Sequence, residues 1–291
     1  MLKGILVGLR PRQWIKNLVV FAALLFSGTY AQLGPLERTA AVFGLFCMIS
    51  GGCYLVNDVS DAENDRRHPQ KRFRPVAAGL VPQNVALATG LALAVIGVIG
   101  SFCIDILAGA AALSYVALGI LYTGWLRRVV LLDVLGIAAG FVIRAIAGAV
   151  AIPVEISPWL IVCTVQLSLF LALAKRRCEY ANLGAEAVNH RVVFAAYSEV
   201  LLDQLIAVVT SSTVVAYSLY TISERTIQQL HTHYMPLTIP FVVYGVFRYL
   251  YLIHRESSHC QPEVLLLTDR PLLACVALWG LACIAIIALA Q

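Results

Sequence analysis

A chain that crosses hydrocarbon can leave no backbone N–H or C=O unpaired, so it is confined to helices or a closed barrel. This 291-residue sequence meets that constraint along its whole length. Apolar segments near the roughly 20 residues that cross a bilayer recur at Trp14–Ala31, Thr39–Val56, Val85–Phe102, Ile106–Tyr122, Leu131–Ile152, Trp159–Ala174, Gln204–Thr221, Pro236–Ile253 and Leu272–Ala290. The pattern predicts an all-α membrane protein with nine transmembrane helices. Hydrophobic residues make up 60% of the chain, against ~45–50% in soluble domains. No long hydrophilic tract divides it, so residues 1–291 are expected to form a single membrane-embedded domain. Met1 to Lys16 lacks a small-residue cleavage site after a short apolar run and reads as a mature cytosolic start.

The basic residues are placed unevenly. One set of helix ends carries Lys3, Arg10, Arg12, Lys16, then Arg66 to Arg74, then Arg127 and Arg128, then Lys175, Arg176, Arg177 and Arg191, then Arg255 and Arg270; the other carries Arg38 and Arg225. The positive-inside rule makes the first set cytoplasmic, with the N-terminus inside and the C-terminus outside a cell (inner) membrane. The formal charge of +5 then reflects topology and an anionic substrate. No basic platform interleaved with aromatics is present, which argues against nucleic acid as a partner. The cysteines fall mostly in apolar segments without C-x-x-C or metal-ligand spacing and are expected to pack as small hydrophobes. His231 and His233 lie on the outer side without acidic partners and read as an interfacial loop.

Only 13% of the residues are charged, yet N-D-V-S-D-A-E-N-D at 57–65 runs directly into R-R-H-P-Q-K-R-F-R-P. On a helix Asn57, Asp58, Asp61 and Asp65 share one face, and Glu63 points elsewhere. Carboxylates so close repel unless a cation sits between them, and Mg²⁺ takes oxygens from one or two carboxylates plus substrate phosphates. Asn57, Asp58, Asp61 and Asp65 are therefore the predicted metal site, with the three aspartates catalytic and the adjoining bases set to hold phosphate. A solvated run of mutually paired charges is the plainer alternative. Pro75 and Gly79 look like breakers of a re-entering loop.

Further polar elements share the cytoplasmic side. R-P-R-Q-W-I-K-N (10–17) suits either interfacial anchoring or donor phosphate contact through Lys16. Y-T-G-W-L-R-R-V-V-L-L-D-V brings Tyr122 and Asp133, and Arg144 follows three turns later at membrane depth, where an ionisable group is a functional candidate by default. An ion pair with Asp133 or Glu155 is its structural alternative. Lys175 and Arg176 close the sixth span, where a stop-transfer cluster also accounts for them. Arg248 lies inside the eighth span, and Asp269 and Arg270 are placed to cap the last helix.

On these motifs, together with L-A-K-R-R-C-E, G-V-F-R-Y-L-Y-L and T-D-R-P-L, the chain resembles the UbiA superfamily of intramembrane prenyltransferases, and within it the decaprenyl-phosphate phosphoribosyltransferase branch. The resemblance implies nine helices around a lipid-open cavity, with Mg²⁺ and a diphosphate on Asn57, Asp58, Asp61 and Asp65. Prenyl-diphosphate users commonly carry a second D-x-x-x-D motif; here Asp133 is followed at the fifth position by Ile137. That departure suits a soluble phosphoribosyl diphosphate donor and a polyprenyl phosphate acceptor. Lys16, Lys71, Arg74, Tyr122 and Asp133 are then expected at the donor, and Arg144, Lys175 and Arg176 at the lipid phosphate. The branch also allows a homotrimer. An aromatic polyprenyltransferase is the nearest rival reading. A transporter is a remote one, because charge gathers at one face and no internal repeat is evident.

Overall fold

A computed structural model describes residues 1–67, 71–152, 154–183, 192–255 and 260–290; Arg191 lies outside them. Every regular element among these residues is helical, and eight helices are long and apolar enough to cross a membrane. In chain order the helices are α1 (Leu2–Gly8), α2 (Ala22–Phe26), α3 (Leu33–Ser60), α4 (Ala62–Arg67), α5 (Gln83–Ile104), α6 (Ile106–Gly124), α7 (Leu132–Ala151), α8 (Pro158–Leu183), α9 (Glu199–Ile222), α10 (Glu224–Leu230), α11 (Ile239–Arg255), α12 (Pro262–Thr268) and α13 (Arg270–Ala288). The predicted first span is the difference from nine. It is built from a 3-10 segment, Pro11–Phe21, then α2, then a 3-10 turn at Thr29–Ala31. Gly28 at φ 72° and a Ser27–Thr29 hydroxyl contact of 2.8 Å turn the chain where a straight helix would have continued.

Residue contacts divide the chain into two compact units. The first contains residues 1–24, 32–123 and 143–155, the second residues 25–31, 124–142 and 156–291. In the first unit α3 and α5 lie unusually close, because small residues meet at their crossing. A Cβ on Gly52 would stand 2.5 Å from the Gly90 carbonyl oxygen, and one on Gly97 would meet Ile49 at 2.4 Å. Around this contact Val20, Val42, Phe46, Ile49, Ala112 and Ala147 form a dry core. The second half of α7 packs still closer against the 3-10 segment, with Gly148 facing the Val20 backbone.

The second unit is organised around Phe170, Phe194, Leu202, Tyr249 and Leu252, with a further cluster of Tyr217, Tyr220, Met235 and Ile287. Arg248 sits on α11 and forms a two-point ion pair with Asp269, Nε to Oδ1 at 3.2 Å and Nη2 to Oδ2 at 2.8 Å. Asp269 is also the N-cap of α13, accepting from the Leu272 N–H at 2.8 Å. The capping role read from sequence is thus borne out, and the intramembrane arginine turns out to be its counterion. Cys178 and Cys260 are joined in a disulfide, a pairing that their spacing of 82 residues gave no means to foresee.

Two outcomes follow for stability. Gly148→Ala would place its Cβ 2.0 Å from the Val20 carbonyl oxygen, and since neither backbone can yield freely we expect a loss of about 1–3 kcal/mol or more, read as a lowered melting temperature in detergent. The Arg248 hydrogen bonds hold the Asp269 carboxyl below the usual carboxylate range in spite of its burial. Its folded value being depressed, the pair contributes fully above the unfolded carboxylate's pKa of ~4 and is lost as pH falls through the lower folded value. Melting curves over that range are expected to lose part of their acid dependence in Asp269→Asn.

Candidate functional site

The acidic motif stands where α3 gives way to α4. Asp61 occupies the joint, with φ −96° and ψ 1°. Helical hydrogen bonds nonetheless run through it, from Asp61 N–H to Asn57 C=O at 2.9 Å and from Asp65 N–H to Asp61 C=O at 2.8 Å. The helical register between Asp58 and Asp65 therefore survives the break. Both are buried, whereas Glu63 is exposed as the helical face required. Arg66 and Arg67 close the last turn of α4, where cations favour the helix dipole.

The two buried carboxylates are bound by guanidinium groups. Arg10 Nη2 donates to Asp58 Oδ1 at 2.5 Å, and Arg74 Nη1 approaches the same oxygen at 3.2 Å while donating to Asp65 Oδ2 at 2.7 Å. Arg74 is delivered by a tight turn in which Leu80 and Val81 both donate to the Pro75 carbonyl and Gly79 takes φ 73°. The breakers named from sequence thus shape the loop that returns this arginine to the acids. Asn57 accepts from Thr123 Oγ1 at 3.4 Å, which sets the end of α6, next to Tyr122, beside the motif. Lys16 bonds Gln13 at 3.3 Å, and Lys71 is exposed one turn before Arg74.

Deeper in the same unit Arg144 is buried, 5% exposed. Its Nε donates to Asn17 Oδ1 at 2.7 Å, its Nη2 donates to the Tyr115 hydroxyl at 2.6 Å, and the guanidinium lies 4.4 Å from the Tyr115 ring centroid. The Gly148–Val20 approach explains this geometry. Arg144 lies one turn before Gly148 and Asn17 one 3-10 turn before Val20, so the two polar groups meet where the backbones do. Asn17 also donates to Cys47 Sγ and Ser50 Oγ. Cys47 in turn lines an apolar cavity of about 210 Å³ with Leu9, Trp14, Phe43, Met48 and Leu93.

The remaining predicted residues belong to the second unit. Asp133, fully buried, accepts from Arg176 Nε at 2.6 Å and from the Tyr197 hydroxyl at 2.8 Å. Burial pushes the Tyr197 phenol up, which keeps it a donor. The same hydroxyl accepts from the Leu131 N–H at 3.0 Å and so braces a leucine at φ 66°. Arg176 adds a bond to Glu179 at 2.9 Å, and Lys175 stands 3.8 Å from that carboxylate. Ile137 packs on the apolar core. The position where a second acidic motif would complete itself is therefore part of the packing, and Asp133 is answered by a cation.

Residues 17–267 match the UbiA prenyltransferase family. The chain belongs to that family. It is 32% identical over 290 residues to the decaprenyl-phosphate phosphoribosyltransferase of Mycolicibacterium smegmatis, covering 96% of this chain and 91% of the relative. The enzyme of the same name from Corynebacterium glutamicum is 32% identical, with 95% and 84% covered. Among solved structures, a UbiA homolog from Archaeoglobus fulgidus bound to GPP and Mg²⁺ has the same fold, at TM-score 0.73 and 16% identity over 98% of this chain and 99% of that one.

In this UbiA-family chain no group of three His, Cys, Asp or Glu side chains is gathered as a metal cluster among the described residues. The acidic motif nevertheless fits a cation held by one or two carboxylates together with substrate phosphate. Asp58, 1% exposed, leaves its Oδ2 buried with no hydrogen-bond partner among the described residues. An oxygen so placed is costly unless something donates to it or binds it. Sequence reasoning missed Asn17, Tyr115, Thr123 and Tyr197 as partners of the candidate residues; for the first three a single polar group in an apolar helical segment was the signal available, and Tyr197 lies in a loop that carried none.

Truncating Arg176 would strand Asp133 as a buried charge. Arg176→Met is expected to cost about 3–5 kcal/mol, with much of the melting temperature restored by adding Asp133→Asn.

Proposed function

We propose that this integral membrane protein transfers 5-phosphoribose from 5-phosphoribosyl 1-diphosphate to a polyprenyl phosphate such as decaprenyl phosphate, releasing diphosphate, for cell-envelope glycan precursors. The observation that carries this reading is the asymmetry of acidic sites: the motif at Asn57 to Asp65 has three aspartates and leaves Asp58 Oδ2 without a hydrogen-bond partner among the described residues, while both Asp133 oxygens are taken, by Arg176 and Tyr197, and Ile137 is packed in the core. One acidic motif amid several guanidinium groups suits a donor that carries one diphosphate and an acceptor that brings its own phosphate. The two full-length relatives named above point the same way.

In the proposed reaction Asn57, Asp58, Asp61 and Asp65 hold Mg²⁺, which when bound supplies positive charge for the departing diphosphate. Lys16, Lys71, Arg74 and Tyr122 hold the donor phosphates. Arg144 of the first unit is assigned to the lipid phosphate. Asn17, which accepts from Arg144, also donates to Cys47 at the apolar cavity. An amphiphile with a charged head and a hydrocarbon tail matches such a pairing. The ionised phosphate oxygen of the lipid attacks the anomeric carbon, the bond to the diphosphate oxygen breaks, and its electron pair leaves with diphosphate. Because the nucleophile is already an anion, no general base is required. We place these events at the cytoplasmic end, where the basic helix ends gather.

Purified protein given labelled phosphoribosyl diphosphate, polyprenyl phosphate and Mg²⁺ is expected to yield a labelled lipid and free diphosphate. Asp58→Ala should lower turnover per folded molecule by orders of magnitude, well beyond what its lowered melting temperature accounts for, and chelation of the metal should lower turnover without touching the buried ion pairs. Arg144→Lys keeps the charge but loses the planar donor set, and is expected to raise the acceptor requirement. Formation of a prenylated aromatic from polyprenyl diphosphate, with no phosphoribosyl lipid, would overturn the assignment.

A further inference from the structure

We propose that Arg10 is the positioning residue that couples cation binding to donor binding, an inference that rests on the donor reading above. Arg10 serves with Arg74 as counterion to Asp58 and Asp65; when a divalent cation and a diphosphate arrive together, its guanidinium passes from Asp58 to the diphosphate.

Arg10 is held where its backbone would not otherwise rest. It is neither glycine nor asparagine, yet it takes the left-handed conformation at φ 53° and ψ 62°, immediately before Pro11. Such a conformation is uncommon for side chains of this size, and a following proline restricts the residue further. Strain of this kind persists only where contacts over-determine it and gathers at functional sites. The contacts are the 2.5 Å bond to Asp58 Oδ1 and the Tyr54 ring, whose centroid lies 4.9 Å from the guanidinium carbon. The two partners differ in freedom: the Asp58 side chain is 1% exposed and the Arg10 side chain 24%. The carboxylate is the fixed member of the pair and the guanidinium the movable one.

The load on Asp58 is one-sided. Oδ1 faces both Arg10 and Arg74, while Oδ2 has no hydrogen-bond partner among the described residues. Two aspartates and two arginines make a formally neutral set. A divalent cation on Oδ2 would add two positive charges within a few ångströms of both guanidinium groups, a repulsion that water screens poorly where one partner is fully buried. A multiply charged diphosphate bound by the cation and the released guanidinium relieves it. Cation and anion thus favour each other's binding, and that coupling is reciprocal.

The test is Mn²⁺ binding to the purified full chain, followed by electron paramagnetic resonance without donor, alongside the apparent KM for phosphoribosyl diphosphate. Arg10→Gln is expected to bind Mn²⁺ about fivefold or more tightly, the scale of one partly exposed ion pair removed, and to raise the donor KM about tenfold. Lys3→Gln removes the same charge from an exposed position on α1 and is expected to move both quantities much less. Opposite signs in the two readouts are the signature, since mere structural damage weakens both. Equal effects from R10Q and K3Q, Mn²⁺ binding that is unchanged or weakened in R10Q, or an unaltered donor KM each overturn the proposal. If R10Q does not fold, Arg10→Lys is expected to show the same two signs at smaller size, and unchanged Mn²⁺ affinity there would overturn it too. Mn²⁺ binding is read without turnover, so failure of the wild-type protein to use phosphoribosyl diphosphate would count against the donor reading while the cation arm still decides this one.

Discussion

A carboxylate carried into the interior of a membrane helix bundle must be neutralised locally, and the buried aspartates of this chain are met by guanidinium groups. In the first unit Asp58 and Asp65 share Arg74, with Arg10 completing the set; in the second Asp133 is closed by Arg176. Arginine serves here because its planar fork can bond two acceptors at once and never loses its charge. Arg74 uses that property directly, one Nη spanning two carboxylates nine and sixteen residues away in sequence. Truncation of either kind of partner exposes the other's desolvation penalty, so these pairs fix local geometry whatever net stability they add.

Close backbone approach is the second device, and it determines where the first can operate. Glycine against glycine at the crossing of α3 and α5, and Gly148 against the Val20 carbonyl, bring main chains nearer than any side chain would permit. The latter approach carries Arg144 onto Asn17. The guanidinium there donates to an amide and a phenol and lies over an aromatic face. Arg176 meets two carboxylates, Asp133 and Glu179.

Much of this was legible from the chain alone. Apolar segment length and the backbone hydrogen-bond requirement determined that the protein is helical and membrane-embedded, and helical periodicity put Asp58 and Asp65 on a common face with Glu63 turned away. The missing carboxylate at Ile137 was equally a property of the sequence. Which cation answers which carboxylate was decided only in three dimensions. Arg10 and Asp58 are 48 residues apart, Arg176 and Asp133 43, and Arg144 and Asn17 127, and no local pattern encodes a contact made by helices crossing at such separations. The breaking of the first apolar segment into 3-10 and α pieces was likewise beyond composition, because it depends on a turn at Gly28 and on a partner helix whose glycine admits the backbone.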